Sequence, residues 1–184
     1  MTQPAEIRRW TRREYERLGE AGVFRPDERL ELVNGIVYQR PAQDSWHSGT
    51  IQAAQEALRR VLTAGFDLRI QMPLALDSLS EPVPDLAVVA GHWRDYLSAH
   101  PTTAVLAVEV SASSARFDRE EKRLLYAAAG ISEYWILYVK TKQLEVLRDP
   151  QDGDYRSRKL LKPGDQVAPL AASGSSIRVA DLLP

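Results

Sequence analysis

The sequence contains no cysteine, and this absence excludes several kinds of site. Without thiols the chain can form no disulfide and offers no thiolate to a metal ion, which is compatible with a reducing compartment. Only three histidines occur among the 184 residues. A thiolate metal site is therefore excluded, and a histidine-rich zinc site is not expected.

Long apolar runs and a strong net charge are also missing. No run approaches the roughly 18 residues that a membrane-spanning helix needs, and the N-terminus lacks the apolar core of a signal peptide. We therefore expect a soluble, cytoplasmic protein with no membrane partner. The formal net charge is -1 at pH 7, so no overall basic field indicates nucleic acid, although an enzyme with a local basic rim is compatible with this value. The length predicts one domain spanning residues 1–184.

Two apolar runs, each with an acid at one end, are the most informative part of the chain. Leu86–Ala90 follows Asp85 directly, and Thr103–Val108 precedes Glu109. Short continuous runs rich in Val and Leu are typical of strands that are buried on both faces. An unpaired charge buried in such a place costs several kcal/mol. The position of the two acids therefore indicates a functional site where the two strands meet.

The remaining patterns predict a mixed α/β sheet with helices on both sides. A capping box at Thr11 and Glu14 predicts a first helix, and Asn34-Gly35 predicts a β-hairpin with a type I′ turn. A long helix is expected after His47. The further predicted elements are two short strands (Phe66–Gln71 and Leu74–Leu76), a helix from Phe117 or Asp118 through Ala129, and three strands (Glu133–Val139, Gln143–Arg148 and Tyr155–Leu161).

Two residues outside the acid-bearing runs each have two interpretations. Glu31 shares a strand face with Val33, so it points either toward the second face of the sheet or into solvent from an edge hairpin. His47, near the start of the long helix, faces either a site or water. For a lone histidine the structural interpretation is the commoner one.

The residue types favour phosphodiester hydrolysis over acyl or glycosyl transfer. Asp85 and Glu109 would give Mg²⁺ two oxygen ligands, and the carbonyl of Val110 would add a third, because this ion needs few carboxylates when substrate phosphate oxygens complete its shell. A nearby lysine can orient the attacking water and offset charge in the transition state. The chain has no Gly-x-Ser-x-Gly elbow, no glycine-rich phosphate loop and no metal-type histidine spacing.

Several ordered motifs resemble those of the PD-(D/E)XK nuclease superfamily, and more closely those of the Uma-type family of restriction endonuclease-like proteins. The matching segments are Pro84-Asp85, Glu109-Val110-Ser111, Asp118, Lys122, Glu31-Leu32-Val33-Asn34-Gly35, His47, Tyr126 and Gly130-Ile131-x-Glu133-Tyr134-Trp135. The resemblance covers roughly Thr11 to Tyr155. The resemblance implies a restriction endonuclease-like mixed β-sheet core flanked by helices, with an N-terminal β-hairpin and a β-rich C-terminal part.

The resemblance also implies roles for individual residues. Asp85 and Glu109 become ligands of Mg²⁺, with Mn²⁺ as an alternative ion, and Glu31 becomes an additional acid at the site. Ser111 stands where the superfamily has its lysine, so Lys122 on the following helix is the expected replacement. Tyr138 departs from the family, which often has an acid at this position.

The first functional hypothesis is a Mg²⁺-dependent DNA endonuclease that acts as a homodimer, since two-fold symmetry addresses both strands of a duplex. The alternative is a catalytically inactive nuclease-fold protein that serves as a nucleic-acid-binding or protein-interaction module. An unrelated sheet enzyme acting on a small substrate is less favoured. A set of basic residues either contacts phosphates or forms a solvated face balanced by neighbouring acids: Arg116, Arg119, Lys122, Arg123, Lys140, Lys142, Arg156, Arg158 and Lys159.

Overall fold

The protein is described by a computed structural model that covers residues 6–112 and 115–183. In chain order its strands are β1 (Leu30–Val33), β2 (Ile36–Gln39), β3 (Phe66–Ile70), β4 (Leu86–Ala90), β5 (Leu106–Ser111), β6 (Glu133–Tyr138), β7 (Gln143–Gln151), β8 (Asp154–Leu161), β9 (Gln166–Val167) and β10 (Ile177–Arg178). The helices are α1 (Arg12–Glu20), α2 (Ser45–Val61), α3 (Ala115–Phe117) and α4 (Arg123–Ala128). A π-helical segment (Asp118–Lys122) joins the last two, and 3₁₀ turns occupy Trp93–Tyr96, Leu170–Ala172 and Val179–Asp181.

The central element is a six-stranded mixed sheet with the order β3-β4-β5-β6-β7-β8. Neighbouring strands are antiparallel except β5 and β6, which run parallel. The parallel pair is joined by the chain that carries α3, the π-helical segment and α4, as a parallel connection requires a crossover. The predicted fold class, a mixed α/β sheet flanked by helices, is confirmed.

Alternate residues of the central strands build a hydrophobic core on each face of the sheet. On one face, Leu106, Val108 and Trp135 pack with the buried side of α2 and with the C-terminal segment. On the other face, Ala107 and Ile136 pack with α4 and its flanking tyrosines. Because β4, β5 and β6 are buried on both faces, they read as continuous apolar runs in the sequence.

The hairpin β1–β2 forms as its turn residues predict. Asn34 has φ 50° and Gly35 has φ 77°, the left-handed values that a type I′ turn requires at both central positions. Gly35 is also needed for space, since a Cβ at this position would lie 2.6 Å from the Cβ of Arg9. The first helix starts as predicted too, with Thr11 and Glu14 forming the capping box.

Two expectations about local structure are wrong. Leu74–Leu76 forms no strand, although Leu74 and Ala75 are buried. The backbone N–H of Leu74 instead donates to the carbonyl of Pro82 (2.9 Å), so burial in a loop produced the apolar pattern. The helix predicted from Phe117 or Asp118 begins earlier, at Ala115, and contains a π-helical turn.

None of the helices in the described part of the chain is long and apolar enough to cross a membrane.

Candidate active site

A cavity of about 430 Å³ opens between the hairpin, the start of α2 and the π-helical segment. Five acids, three basic side chains and one histidine contribute to its wall: Glu31, Asp44, Asp85, Glu109, Asp118, Arg29, Arg40, Lys122 and His47. All four residues predicted for catalysis, Glu31, Asp85, Glu109 and Lys122, therefore lie in one cavity. They come from four separate segments of the chain.

The sheet brings Asp85 and Glu109 to the same place. Leu86 of β4 pairs with Val108 of β5 in antiparallel register. Because Asp85 precedes Leu86 and Glu109 follows Val108, the two acids lie at adjacent positions. Both acids are almost fully buried, with 2% and 3% of their surfaces exposed. The backbone N–H of Val110 donates to Oδ2 of Asp85 at 2.9 Å, which ties the two strand ends together.

Lys122 connects two of the carboxylates. Its Nζ lies 2.9 Å from Oε1 of Glu109 and 3.0 Å from Oε2 of Glu31. Tyr126, one turn further along the helix, donates its hydroxyl to the same Oε1 of Glu109 at 2.8 Å. The reach of Lys122 back to Glu109, which the sequence requires if Ser111 replaces the usual lysine, is present in the fold.

Glu31 faces the cavity and not the solvent, so the first of its two interpretations describes the fold. It is 3% exposed, and its Oε2 accepts a hydrogen bond from the backbone N–H of Val83 at 3.0 Å. The neighbouring Leu32 forms a β-bridge with Glu81. This bridge lays β1 beside the segment that leads to Asp85, which explains how a hairpin far upstream reaches the site.

The π-helical turn places Asp118 and Lys122 toward the interior, since both are buried. Its wide turn is closed by the N–H of Arg123, which donates to the carbonyl of Asp118. The hydroxyl of Tyr134 donates to the same carbonyl at 3.1 Å. Single π-helical turns within α-helices are frequent at functional sites.

The charges in the cavity shift the pKa values of its members. Burial, with the neighbouring charges of Asp85, Asp118 and Glu31, raises the pKa of Glu109 to about 8 although Lys122 opposes the shift. Burial lowers the pKa of Lys122, but Glu109, Glu31 and Asp118 outweigh it and hold the pKa above its usual value. The pKa of Asp85 is lowered: burial opposes this, but hydrogen bonds and the charges of His47 and Arg40 prevail.

One protein-family model matches most of this chain. The model of the Uma2 family, described as "Putative restriction endonuclease", matches residues 12–180. The chain belongs to the Uma2 family.

Among solved structures, the Uma2 chain resembles a protein from Anabaena variabilis ATCC 29413 whose structure is described as that of "a putative nuclease belonging to DUF820". The two share 16% sequence identity with a TM-score of 0.73, over 94% of this chain and 96% of the other. At this identity the similarity establishes the fold and not the activity. No curated protein matches the chain.

Three contacts on Asp85 were not predicted. Its Oδ1 lies 3.1 Å from a guanidinium nitrogen of Arg40, 3.1 Å from the amide nitrogen of Gln71 and 3.3 Å from Nε2 of His47. A site role was one of two interpretations of His47, whereas no local pattern singles out Arg40 or Gln71. Arg40 is 45 residues from Asp85 in the chain, so only the tertiary path of the hairpin brings them together.

A second cavity of about 410 Å³ lies between α1 and the segment around His100. Its lining residues include three glutamates and one arginine: Glu16, Glu20, Glu81 and Arg12. Glu81 is 7% exposed, and its Oε2 has no hydrogen-bond partner among the described residues. Burial and the neighbouring carboxyl of Glu16 raise the pKa of Glu81 to about 7.

Proposed function

We propose that this Uma2 protein is a Mg²⁺-dependent DNA endonuclease that hydrolyses phosphodiester bonds in the cavity around Asp85 and Glu109. The observation that supports this most directly is the convergence of Asp85, Glu109 and Lys122 from three segments on one buried cavity. Burying several acids together is costly, and a fold keeps such an arrangement at functional sites.

The donor set of the cavity suits a hard divalent cation. Asp85 and Glu109 would hold the ion, since Mg²⁺ prefers oxygen ligands and binds through one or two carboxylates while keeping several waters. The N–H of Val110 points to Asp85, and the carbonyl of a strand residue faces the same edge as its N–H, so Val110 is the proposed third ligand. No cluster of three or more His, Asp or Glu side chains among residues 6–112 and 115–183 has metal-binding geometry, which is why the proposed set includes a carbonyl and water.

When bound, the cation would polarise a phosphate oxygen and lower the pKa of a coordinated water. Lys122 is held protonated by Glu31, Glu109 and Asp118, because these acids raise its pKa. A protonated lysine cannot abstract a proton, so the role of Lys122 is to orient the attacking water and to offset charge on the phosphate. Glu31 fixes the ammonium in place at 3.0 Å.

One observation favours the alternative, a nuclease-fold protein without catalysis that binds nucleic acid or protein. Both oxygens of Asp85 already accept protein donors, and Lys122 neutralises part of the charge on Glu109. The acids are therefore compensated without an ion. A protein with this fold is therefore able to bind nucleic acid or protein without catalysing a reaction.

DNA and a second copy of the chain are the proposed partners. Most of the basic residues predicted to contact phosphates are paired with acids: Arg116 with Glu120, Arg123 with Asp154, Arg156 with Asp152, and Arg119 and Arg158 with Glu145. This supports the balanced-face interpretation for those residues. Light scattering of the purified protein, alone and with a DNA duplex, tests both the dimer and the complex.

Cleavage of supercoiled plasmid and of labelled oligonucleotides with Mg²⁺ or Mn²⁺ tests the function. Wild type should cut, and Asp85→Ala should not. Glu56→Ala, which removes an exposed acid from α2, is the matched control and should cut like wild type. Cleavage that survives in Asp85→Ala would contradict the proposal. Binding without cleavage by wild type would favour the alternative.

A further inference from the structure

Arg40 forms an ion pair with Asp85 at the wall of the cavity. It follows the last residue of β2, where its backbone N–H donates to the carbonyl of Arg29 at 2.6 Å. From there its guanidinium reaches Oδ1 of Asp85 at 3.1 Å, and 12% of its side chain is exposed. The side chain of Arg40 therefore extends from the hairpin into the cavity and contacts Asp85, a proposed metal ligand.

The two oxygens of Asp85 have different partners. Oδ2 accepts the backbone N–H of Val110, a contact fixed by the strand. Oδ1 is approached by three side chains, those of Arg40, Gln71 and His47. Of these three only the guanidinium carries a permanent positive charge.

The side chains of Gln71 and His47 are shorter than that of Arg40, so they can move less far from Asp85. The backbone of Gln71 is itself bound to Asp85, since its N–H donates to the Asp85 carbonyl at 3.0 Å. His47 lies in the first turn of α2, where its N–H donates to the capping side chain of Asp44 at 2.7 Å. The long side chain of Arg40 needs only a change of rotamer to swing along the cavity wall.

We propose that Arg40 acts as an exchangeable counterion: without metal it neutralises Asp85, and when a divalent cation takes Asp85 it moves to a phosphate oxygen of the substrate. This inference rests on the proposed function. A guanidinium and a divalent cation repel each other at one carboxylate oxygen, so they compete for it. A guanidinium also matches the geometry of phosphate oxygens, which it can bind bidentately.

The exchange predicts effects of opposite sign on metal binding and on cleavage. Isothermal titration of the DNA-free protein with Mg²⁺ should show that Arg40→Ala binds the ion at least about fivefold more tightly than wild type, the lower end of typical coupling between two ligands. Cleavage by the same variant at saturating Mg²⁺ should fall about 100-fold, as when one transition-state donor is removed.

Arg29→Ala is the matched control for metal binding. Arg29 lines the same cavity but donates to the carbonyl of Pro41, so removing it deletes a nearby positive charge without freeing Asp85. Its Mg²⁺ affinity should rise less than that of Arg40→Ala. Arg40→Lys, which keeps the charge, should bind Mg²⁺ like wild type. Arg40→Gln replaces the alanine variant if circular dichroism shows that Arg40→Ala is unfolded.

The outcomes separate the inference from the function. If wild type cuts DNA and binds Mg²⁺ while Arg40→Ala binds it equally or more weakly, the exchange is wrong and the nuclease stands. If Arg29→Ala gains as much Mg²⁺ affinity as Arg40→Ala, the gain comes from removing any nearby positive charge. The exchange is then wrong as well. If none of these proteins binds Mg²⁺ or cuts DNA, the proposed function fails and the exchange fails with it. Tighter binding with slower cleavage in Arg40→Ala alone supports it.

Discussion

The two cavities of this protein bury similar groups in opposite ways. In the first, Lys122 lies within 3.0 Å of both Glu31 and Glu109, and Arg40 pairs with Asp85. In the second, Glu81 is also buried, yet its Oε2 has no hydrogen-bond partner among the residues described. Cations contact three acids of the first cavity, although burial still raises the pKa of Glu109 to about 8, whereas Glu81 in the second cavity lacks such a contact at Oε2 among the described residues.

The difference shows that burial alone does not decide whether a carboxyl group is charged. Asp85 is 2% exposed and its pKa is lowered, because donors and positive charges surround it. Glu81 is 7% exposed and its pKa rises to about 7, because burial and Glu16 oppose ionisation. Of Asp85 and Glu81, the more acidic Asp85 is the better suited to binding a cation.

Removing the charge of Lys122 from the first cavity should have the largest effect. Lys122→Met leaves Glu31 and Glu109 without their shared partner, so we expect the free energy of unfolding to fall by about 3–5 kcal/mol, as for other broken buried pairs. Urea denaturation at pH 7 measures it. The triple variant Lys122→Met/Glu31→Gln/Glu109→Gln should recover most of the loss, and Lys140→Met, at an exposed site, should change little. A loss below about 1 kcal/mol would contradict the pairing.

Replacing Glu81 of the second cavity with a neutral residue should stabilise the protein, by an amount that depends on pH. Between pH 4.5 and about 7 folded Glu81 retains a proton that the unfolded chain has lost, so wild-type stability decreases across this window as pH rises. Glu81→Gln lacks this decrease. It should match wild type near pH 4.5 and exceed it by about 1–3 kcal/mol at pH 8. Denaturation curves across this range test the sign, with exposed Glu20→Gln as control. Equal stabilities at pH 8 would refute it.

Removing a neutral donor from the first cavity should have a smaller effect. Tyr126→Phe deletes the hydroxyl that donates to Glu109 at 2.8 Å, while Lys122 still satisfies that oxygen. We expect a loss of about 1 kcal/mol in the free energy of unfolding. Tyr155→Phe, which deletes a hydrogen bond to the carbonyl of Ile131, is the matched control for a buried hydroxyl. A loss as large as that in Lys122→Met would show that the lysine is not the main compensating group.

Removing the charge of Arg12 from the second cavity should lower the free energy of unfolding least. Arg12 pairs with Glu16 at 2.8 Å, but both side chains are about one-third exposed or more. Arg12→Gln should therefore cost about 0.5 kcal/mol. It should also raise the pKa of Glu81 further, since the charge of Arg12 lowers it. A carboxyl NMR titration detects this shift, with Arg13→Gln as control. An unchanged titration would place Arg12 too far away to act on Glu81.

Much of the fold follows from patterns that act over a few residues. Residues close together in the sequence are enough to explain three of its features. These are the Thr11–Glu14 capping box, the Asn34-Gly35 turn and the apolar runs of β4 and β5. The false strand at Leu74–Leu76 marks the limit of this reasoning. Apolar residues report burial, and these are buried in a loop whose hydrogen bonds lead to distant carbonyls.

The candidate site was predictable where acids interrupt apolar runs and where family motifs extend the pattern. Asp85 and Glu109 stand out because an unpaired carboxylate at the end of a buried strand is costly. Nothing local distinguishes Arg40 from the other arginines, or Gln71 from the other glutamines. The π-helical turn is equally hidden, because no residue type in the segment indicates that Arg123 bonds back to Asp118.

The separateness of the β1–β2 hairpin has a consequence for how the protein would respond to heat and to engineering. The hairpin is a two-stranded sheet of its own, and it reaches the rest of the molecule partly through Glu31 to Lys122 and Arg40 to Asp85. The groups proposed for chemistry thus also fasten this element in place. Substitutions that strengthen the attachment would restrict the site, so thermostability and turnover would trade against each other here.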